Sequence, residues 1–133
     1  MKNIKILVSA TKIQKKVIKL GKDITDFYKN KVSEEKPLKV IIIQKGAIIF
    51  GADLVREINL PLDLRFMRIR SYLGKTKPQH SPELLDKIQS GIKDSHVLVV
   101  EDILDTGNTL FFVKNYLSKF KPRSLNFAVL VVK

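Results

Sequence analysis

Three carboxylates fall within five residues, Glu101, Asp102 and Asp105, and the last opens the run Asp105-Thr106-Gly107-Asn108-Thr109. Before them, Val97 to Val100 form a short, largely β-branched apolar run of the kind found in a strand covered on both faces. The acids therefore sit at a strand's carboxyl end. After Gly107 the apolar residues Leu110, Val113, Leu117 and Phe120 recur with a helical period, so the intervening turn joins a strand to a helix N-terminus. Such a turn suits an anion. Free backbone N–H groups, the positive end of the helix dipole and the Thr106 and Thr109 hydroxyls can converge on a phosphate, and Gly107 admits the backbone closely.

Acids beside a phosphate cradle are costly unless they have other partners. A sugar phosphate supplies them, because carboxylates accept hydrogen bonds from ribose hydroxyls and Mg²⁺ offsets the charge of a polyphosphate. Neighbouring strand residues point to opposite faces, which argues against a simple chelating pair of Glu101 and Asp102. A strand end whose Asp and Asn merely cap a helix would need one polar residue rather than this set. Leu104-Asp105-Thr106-Gly107 also looks like an aspartic protease loop, but that site needs a second aspartate in an all-β setting. Receiver domains carry paired acids after their first strand; here 31 residues follow Asp102, too few to complete that fold.

The elements that must position these groups alternate along the chain. Ser9 or Thr11 can cap a helix with an apolar stripe of Ile13, Val17, Leu20, Ile24 and Phe27. Leu38 to Ile43 reads as a buried strand, and Gln44-Lys45-Gly46 makes a second sharp strand-to-helix turn. Residues 47–58 carry helical spacing through Ile49, Leu54 and Ile58, and Leu62 to Ile69 is another strand. Ser71 to about Gln79 loses periodicity and is expected to be a mobile loop, and Pro82 to Gly91 a short helix. Lys121-Pro122 stops the helix after the acidic motif, and Leu125 to Val132 forms a last strand. This alternation predicts an α/β fold, a mostly parallel twisted sheet with helices on both faces. Ligands in such sheets bind beyond the strands' carboxyl ends, where both sharp turns and the loop should meet.

A chain of 133 residues suits one core, and no apolar run approaches 18 residues. A soluble, cytoplasmic protein with no membrane partner is expected. With no cysteine and two scattered histidines, His80 and His96, disulfides, thiol nucleophiles and the usual zinc sites are excluded. The formal charge of +12 could serve nucleic acid or a polyanionic small substrate. Its lysines spread over helix faces without interleaved aromatics, which disfavours nucleic acid and favours a solvated basic surface.

The motif segment resembles the signature of the type I phosphoribosyltransferases: an apolar strand, two acids, two apolar residues, then Asp-Thr-Gly-x-Thr. Nearly the whole chain is similar to their hypoxanthine-guanine branch. Gln44-Lys45-Gly46-Ala47 with Ala52 to Arg56 resembles its pyrophosphate loop and following helix, and Phe66 to Tyr72 the strand entering its flexible catalytic loop. Weaker matches lie at Ile13-Gln14 and Leu20-Gly21-Lys22.

The resemblance implies a type I phosphoribosyltransferase core, Rossmann-like, that moves a 5-phosphoribosyl group from phosphoribosyl diphosphate to a 6-oxopurine base with Mg²⁺ and releases pyrophosphate. It implies that Lys45 and Gly46 hold pyrophosphate, with a cis peptide at the Lys45–Gly46 bond. Glu101 and Asp102 would bind the ribose hydroxyls directly or through the metal, and Ile103 would pack on the base. Asp105 would be the general base, Thr106, Gly107, Asn108 and Thr109 would bind the 5′-phosphate, and the Ser71-Tyr72 loop would close over the reacting atoms. Asn108 stands where relatives often carry a bulkier or charged residue.

Family members continue several tens of residues past the last strand, adding an aromatic purine clamp and a further metal-side acid. Residues 1–133 are thus expected to form a single core domain lacking that hood, with Lys133 aligned to the lysine that recognises the oxygen at purine C6. Full-length relatives imply a homo-oligomer. The alternative is a weakly active or inactive relative that binds phosphoribosyl diphosphate as a sensor and binds nucleic acid.

Overall fold

A computed structural model describes residues 8–70, 83–84, 91–104 and 107–132. The first helix, α1 (Ala10–Tyr28), starts where expected: Ser9 is its N-cap, with its hydroxyl accepting from the Lys12 N–H at 3.2 Å. Its buried stripe is Val17, Gly21, Ile24 and Tyr28, whereas Ile13 and Phe27, assigned inward from the sequence, lie 36% and 54% exposed. The reason is Gly21, where α1 meets the chain following the second helix so closely that a Cβ would come within 2.4 Å of Glu57 Cβ. That contact turns the helix so that Tyr28 rather than Phe27 faces in, and Asn126 donates to the Tyr28 hydroxyl at 2.9 Å.

The central strands are β1 (Leu38–Gln44) and β4 (His96–Leu104), apolar on both faces as their sequences require. β2 (Leu62–Arg70) lies parallel beside β1, and β5 (Ser124–Val132) parallel beside β4. Residues 83–84, expected to be helical, form the short strand β3 (Glu83–Leu84), antiparallel to the end of β2 through Ile69↔Leu84 and Arg70↔Glu83. Two residues carry no period of their own, and pairing with the open edge of β2 decides their conformation. Residues 85–90 of the expected helix and the loop from 71 to 79 lie outside the described residues.

The sheet order is β3-β2-β1-β4-β5, a mostly parallel sheet with helices on both faces as expected. α2 (Ile48–Val55) crosses from β1 to β2, and α3 (Asn108–Ser118) from β4 to β5. The two crossovers run in opposite directions from the centre, and a common right-handedness puts their helices on opposite faces. One core accordingly joins α1 and α2 to Leu38, Val40, Ile42, Leu98 and Val100, while the other joins Val113 and Leu117 of α3 to Ile41, Ile43, Val97 and Val99. In α2 the inward residues are Phe50, Gly51 and Leu54; Ile49, counted inward from sequence spacing, is 74% exposed. The chain thus reverses its direction of travel between β1 and β4. A crevice opens beyond the carboxyl ends of strands at such a point.

Candidate active site

β1 and β4 are in register from Lys39↔Val97 to Ile42↔Val100, so their carboxyl ends emerge side by side. From β1 the chain turns at once into α2: the Ala47 N–H donates to the Ile43 carbonyl at 3.2 Å and the Ile48 N–H to the Lys45 carbonyl at 3.2 Å. The turn contains a cis peptide bond at Gln44–Lys45, one peptide earlier than the Lys45–Gly46 position the resemblance implied. Lys45 and Gly46 are exposed, and Ala47 is fully buried beneath them.

Gly46 lies against the end of β4. A Cβ on it would stand 3.1 Å from Asp102 Oδ2 and 3.2 Å from Oδ1, so a residue without a side chain lets this turn rest on the Asp102 carboxylate. That support for Asp102 was not visible in the sequence, where nothing but the adjacent lysine marks the glycine. Asp102 Oδ1 also accepts from the Ile103 N–H at 2.8 Å, and Glu101 Oε1 accepts from the Asp102 N–H at 3.0 Å. The three residues therefore hold one another in place.

Strand alternation distinguishes the two acids. Glu101 shares its parity with Val97 and Val99 and is 9% exposed, whereas Asp102, in phase with Leu98 and Val100, is half-buried towards the α2 turn. Burial pushes the Glu101 carboxyl up to about 7, and the Asp102 side chain adds to the rise. Among the described residues, no lysine, arginine or histidine forms an ion pair with either acid. Strand alternation starts the two acids on opposite faces, but at the strand end their carboxyls reach each other, and a buried acid without a cationic partner beside a second hard oxygen donor fits a divalent cation such as Mg²⁺. No group of three metal-ligating side chains occurs among the described residues, so these two would be a partial shell, as is usual for Mg²⁺.

Beyond β4, Ile103 is 48% exposed. Gly107 is the N-cap of α3 at φ 83°, a left-handed conformation that favours glycine, and its carbonyl accepts from the Phe111 N–H at 2.9 Å. Asn108 is exposed and Thr109 half-buried in the first turn of α3, which holds no acidic residue. The helix therefore presents its positive end to the same crevice as Gly46 and Asp102. Asp105, Thr106, Ser71, Tyr72 and Lys133, all assigned roles from the resemblance, lie outside the described residues.

Residues 7–133 match the family described as the phosphoribosyl transferase domain. The chain belongs to the phosphoribosyltransferase family. It is 36% identical over 131 residues to the hypoxanthine phosphoribosyltransferase of Haemophilus influenzae, covering 98% of this chain and 72% of that protein. It is also 36% identical to the hypoxanthine-guanine phosphoribosyltransferase of Mycobacterium avium, over 96% of this chain and 64% of the relative. The crystal structure of a Bacillus anthracis hypoxanthine-guanine phosphoribosyltransferase superposes with a TM-score of 0.84 at 32% identity, covering all of this chain and 74% of that one. The chain thus spans roughly two thirds to three quarters of the length of these phosphoribosyltransferases. Among its described residues no helix is long and apolar enough to cross a membrane.

Proposed function

We propose that this chain is the core of a purine salvage enzyme, a hypoxanthine-guanine phosphoribosyltransferase that makes IMP or GMP and pyrophosphate from phosphoribosyl diphosphate and the base. The observation that carries the reading is the Asp102 carboxylate against the Gly46 turn, at the reversal point of the sheet and beside the N-terminus of α3. That crevice brings a backbone turn, carboxylate acceptors and a helix N-terminus to one place, the kinds of group that the diphosphate, ribose and 5′-phosphate of phosphoribosyl diphosphate need. The similarity to relatives named for hypoxanthine and guanine supports the choice of base.

In the reaction the ribose C1–oxygen bond breaks with its electron pair leaving on pyrophosphate, and a purine nitrogen forms the new bond to C1. Lys45 and the N–H groups of the Gly46 turn receive the charge gathering on pyrophosphate. Glu101 and Asp102 accept hydrogen bonds from the ribose hydroxyls and would hold Mg²⁺, which supplies positive charge to the diphosphate when bound. Asp105 takes the purine proton, and Thr106, Gly107, Asn108 and Thr109 bind the 5′-phosphate. Ile103 offers an apolar surface to the base. Ser71 and Tyr72 belong to the segment that closes over the reacting atoms, and Lys133 meets the oxygen at C6. We assign residues 1–133 to one core domain, acting in the cytoplasm within a homo-oligomer.

The test is nucleotide formation by the 133-residue chain from phosphoribosyl diphosphate and Mg²⁺ with hypoxanthine, guanine, xanthine or adenine, each supplied separately. Product with the 6-oxopurines is the expected result. A folded chain that binds phosphoribosyl diphosphate without turning over any base would overturn the enzymatic reading of this chain and leave the donor sensor.

A further inference from the structure

The strands' amino-terminal end, opposite the crevice, has its own concave surface. A cavity of about 240 Å³ opens there, between the segment leading into β1, the turn before β4 and the turn before β5. β4 alone is nine residues long, which separates this cavity from Glu101 and Asp102 by most of a strand, roughly 15–25 Å at about 3.3 Å per residue. It therefore belongs to neither the Gly46 turn nor the N-terminus of α3.

The lining is strongly basic. Lys31, Lys36, Lys39, Lys93 and Arg123 surround the cavity, against the acids Glu35 and Asp94. Two of these cations have local partners: Lys39 pairs with Asp63 at 2.7 Å, and Lys31 donates to the Phe27 carbonyl at the end of α1. Neither explanation reaches Lys36, Lys93 or Arg123. Among the described residues, no ion pair joins these three to Glu35 or Asp94, although all line one cavity.

The frame that carries them is fixed. The Arg123 N–H donates to the Ser95 carbonyl at 2.8 Å and the Asp94 N–H to the Lys121 carbonyl at 3.0 Å, so the turns before β4 and β5 are bonded to each other. Asp94 and Lys121 both take left-handed conformations, with φ 57° and 55°, that non-glycine residues rarely adopt. The bonded turns thus set Lys93 and Arg123 on the rim of one cavity, where an anion would meet both cations.

We propose that this cavity is a second anion site, for a small phosphate-type anion, built from Lys36, Lys93 and Arg123 at the amino-terminal end of the sheet. Its size limits the ligand: pockets for drug-sized molecules run about 300–1,000 Å³, and this cavity is smaller. A mono- or diphosphate fits this class, and a whole nucleotide with base and sugar enclosed does not.

His96 lines the cavity and supplies a reporter. Its Nδ1 is 2.6 Å from the Ser124 hydroxyl and its ring lies edge-on to Tyr28. Desolvation holds the imidazole below its ordinary value, and the charges of Arg123 and Lys31 lower it further. The other charged groups around it are Lys39 on β1, Lys93 and Asp94 before β4, and Lys36 and Glu35 before β1.

The experiment follows the His96 ring resonances and the Arg123 amide of the whole chain by NMR. Inorganic phosphate and inorganic pyrophosphate are titrated in separate arms without Mg²⁺, against sodium chloride of equal ionic strength. A saturable shift in either phosphate arm, absent with chloride, with the His96 titration midpoint moved upward, is expected; the arm that saturates at lower concentration identifies the preferred anion. The shift should disappear in the Lys93→Ala/Arg123→Ala double variant, persist in Lys45→Ala, and saturate at several-fold lower concentration in Glu35→Gln. An equal response to chloride, survival in the double variant, loss in Lys45→Ala or no gain in Glu35→Gln would each overturn the second site.

Discussion

Gly46 shows how little room the proposed donor crevice leaves. An alanine methyl there would sit 3.1 Å from Asp102 Oδ2, closer than carbon and oxygen normally approach. The carboxylate cannot simply swing away, because its Oδ1 is engaged by the Ile103 N–H. The turn must move instead, and small misplacements of positioning groups are expensive in rate. Gly46→Ala should therefore raise KM for phosphoribosyl diphosphate roughly tenfold while unfolding stability stays within about 1 kcal/mol of the parent. Steady-state kinetics beside a denaturant titration checks this; unchanged KM would mean that the turn does not hold the donor. Asp105, proposed as the general base, carries a different expectation, since such a base acts on the proton and not on donor binding. Asp105→Asn should lower kcat by about 10²–10⁴ with donor affinity preserved, and an equal loss of both would remove the base assignment.

At the scale of elements, α1 and the chain after α2 touch through a missing side chain. Gly21→Ala would bring a methyl to 2.4 Å from Glu57 Cβ and 2.7 Å from the Glu57 carbonyl oxygen, which is backbone and cannot rotate aside. Alanine's better helix propensity offers about 1 kcal/mol in return, and overpacking of this kind costs about 1–3 kcal/mol. The overlap should win, with a net loss on the order of 1 kcal/mol in urea unfolding; a stabilised variant would show that α1 shifts freely. This contact also explains what the sequence concealed. The helical period of α1 was legible, but its phase was not: a list of large apolar residues selects Ile13 and Phe27, whereas close approach at Gly21 and the Asn126 bond select Tyr28. β1 and β4 were legible because both faces are apolar, while the two residues of β3 acquire a conformation only from their neighbour. At the candidate site, residue types and spacing announced the acids and the turn, but the contact of Gly46 with Asp102 depends on the register of two strands more than fifty residues apart in sequence.

The join of β1 to β2 has an electrostatic component that pH exposes. Asp63 accepts from Lys39 on the neighbouring strand at 2.7 Å and from Arg65 at 3.1 Å. The Arg65 hydrogen bond, followed by that from Lys39, holds the Asp63 carboxyl below its ordinary value despite an opposing desolvation effect. A depressed folded pKa means that its stabilisation is fully present above the unfolded value near 3.9 and is lost as pH falls through the folded one. With the carboxylate about one third exposed, screening leaves on the order of 1 kcal/mol. Asp63→Asn should thus be less stable than the parent by about that amount at pH 7, and the difference should shrink as pH falls below about 4. A constant difference down to pH 2 would assign the loss to packing instead.

For the whole molecule the governing quantity is the net charge of +12. A folded chain of this length has a radius of gyration of about 14 Å, whereas the screening length is about 30 Å at 0.01 M salt and about 10 Å at 0.1 M. At low salt every charge therefore feels most of the others, and the excess of 25 basic over 13 acidic residues opposes compaction. Salt also weakens the exposed ion pairs Lys19–Asp23 and Arg56–Asp53, but such pairs contribute about 0–1 kcal/mol each. Repulsion should dominate, so raising sodium chloride from about 0.01 M to about 0.2 M should raise Tm. The same screening should weaken the long-range pull on a polyanionic donor, lowering kcat/KM for phosphoribosyl diphosphate while kcat changes little. Stability and donor capture would then move in opposite directions along one salt series. A fall in Tm would show that attractive pairs outweigh the excess charge, and a kcat/KM indifferent to salt would confine the basic surface to solvation.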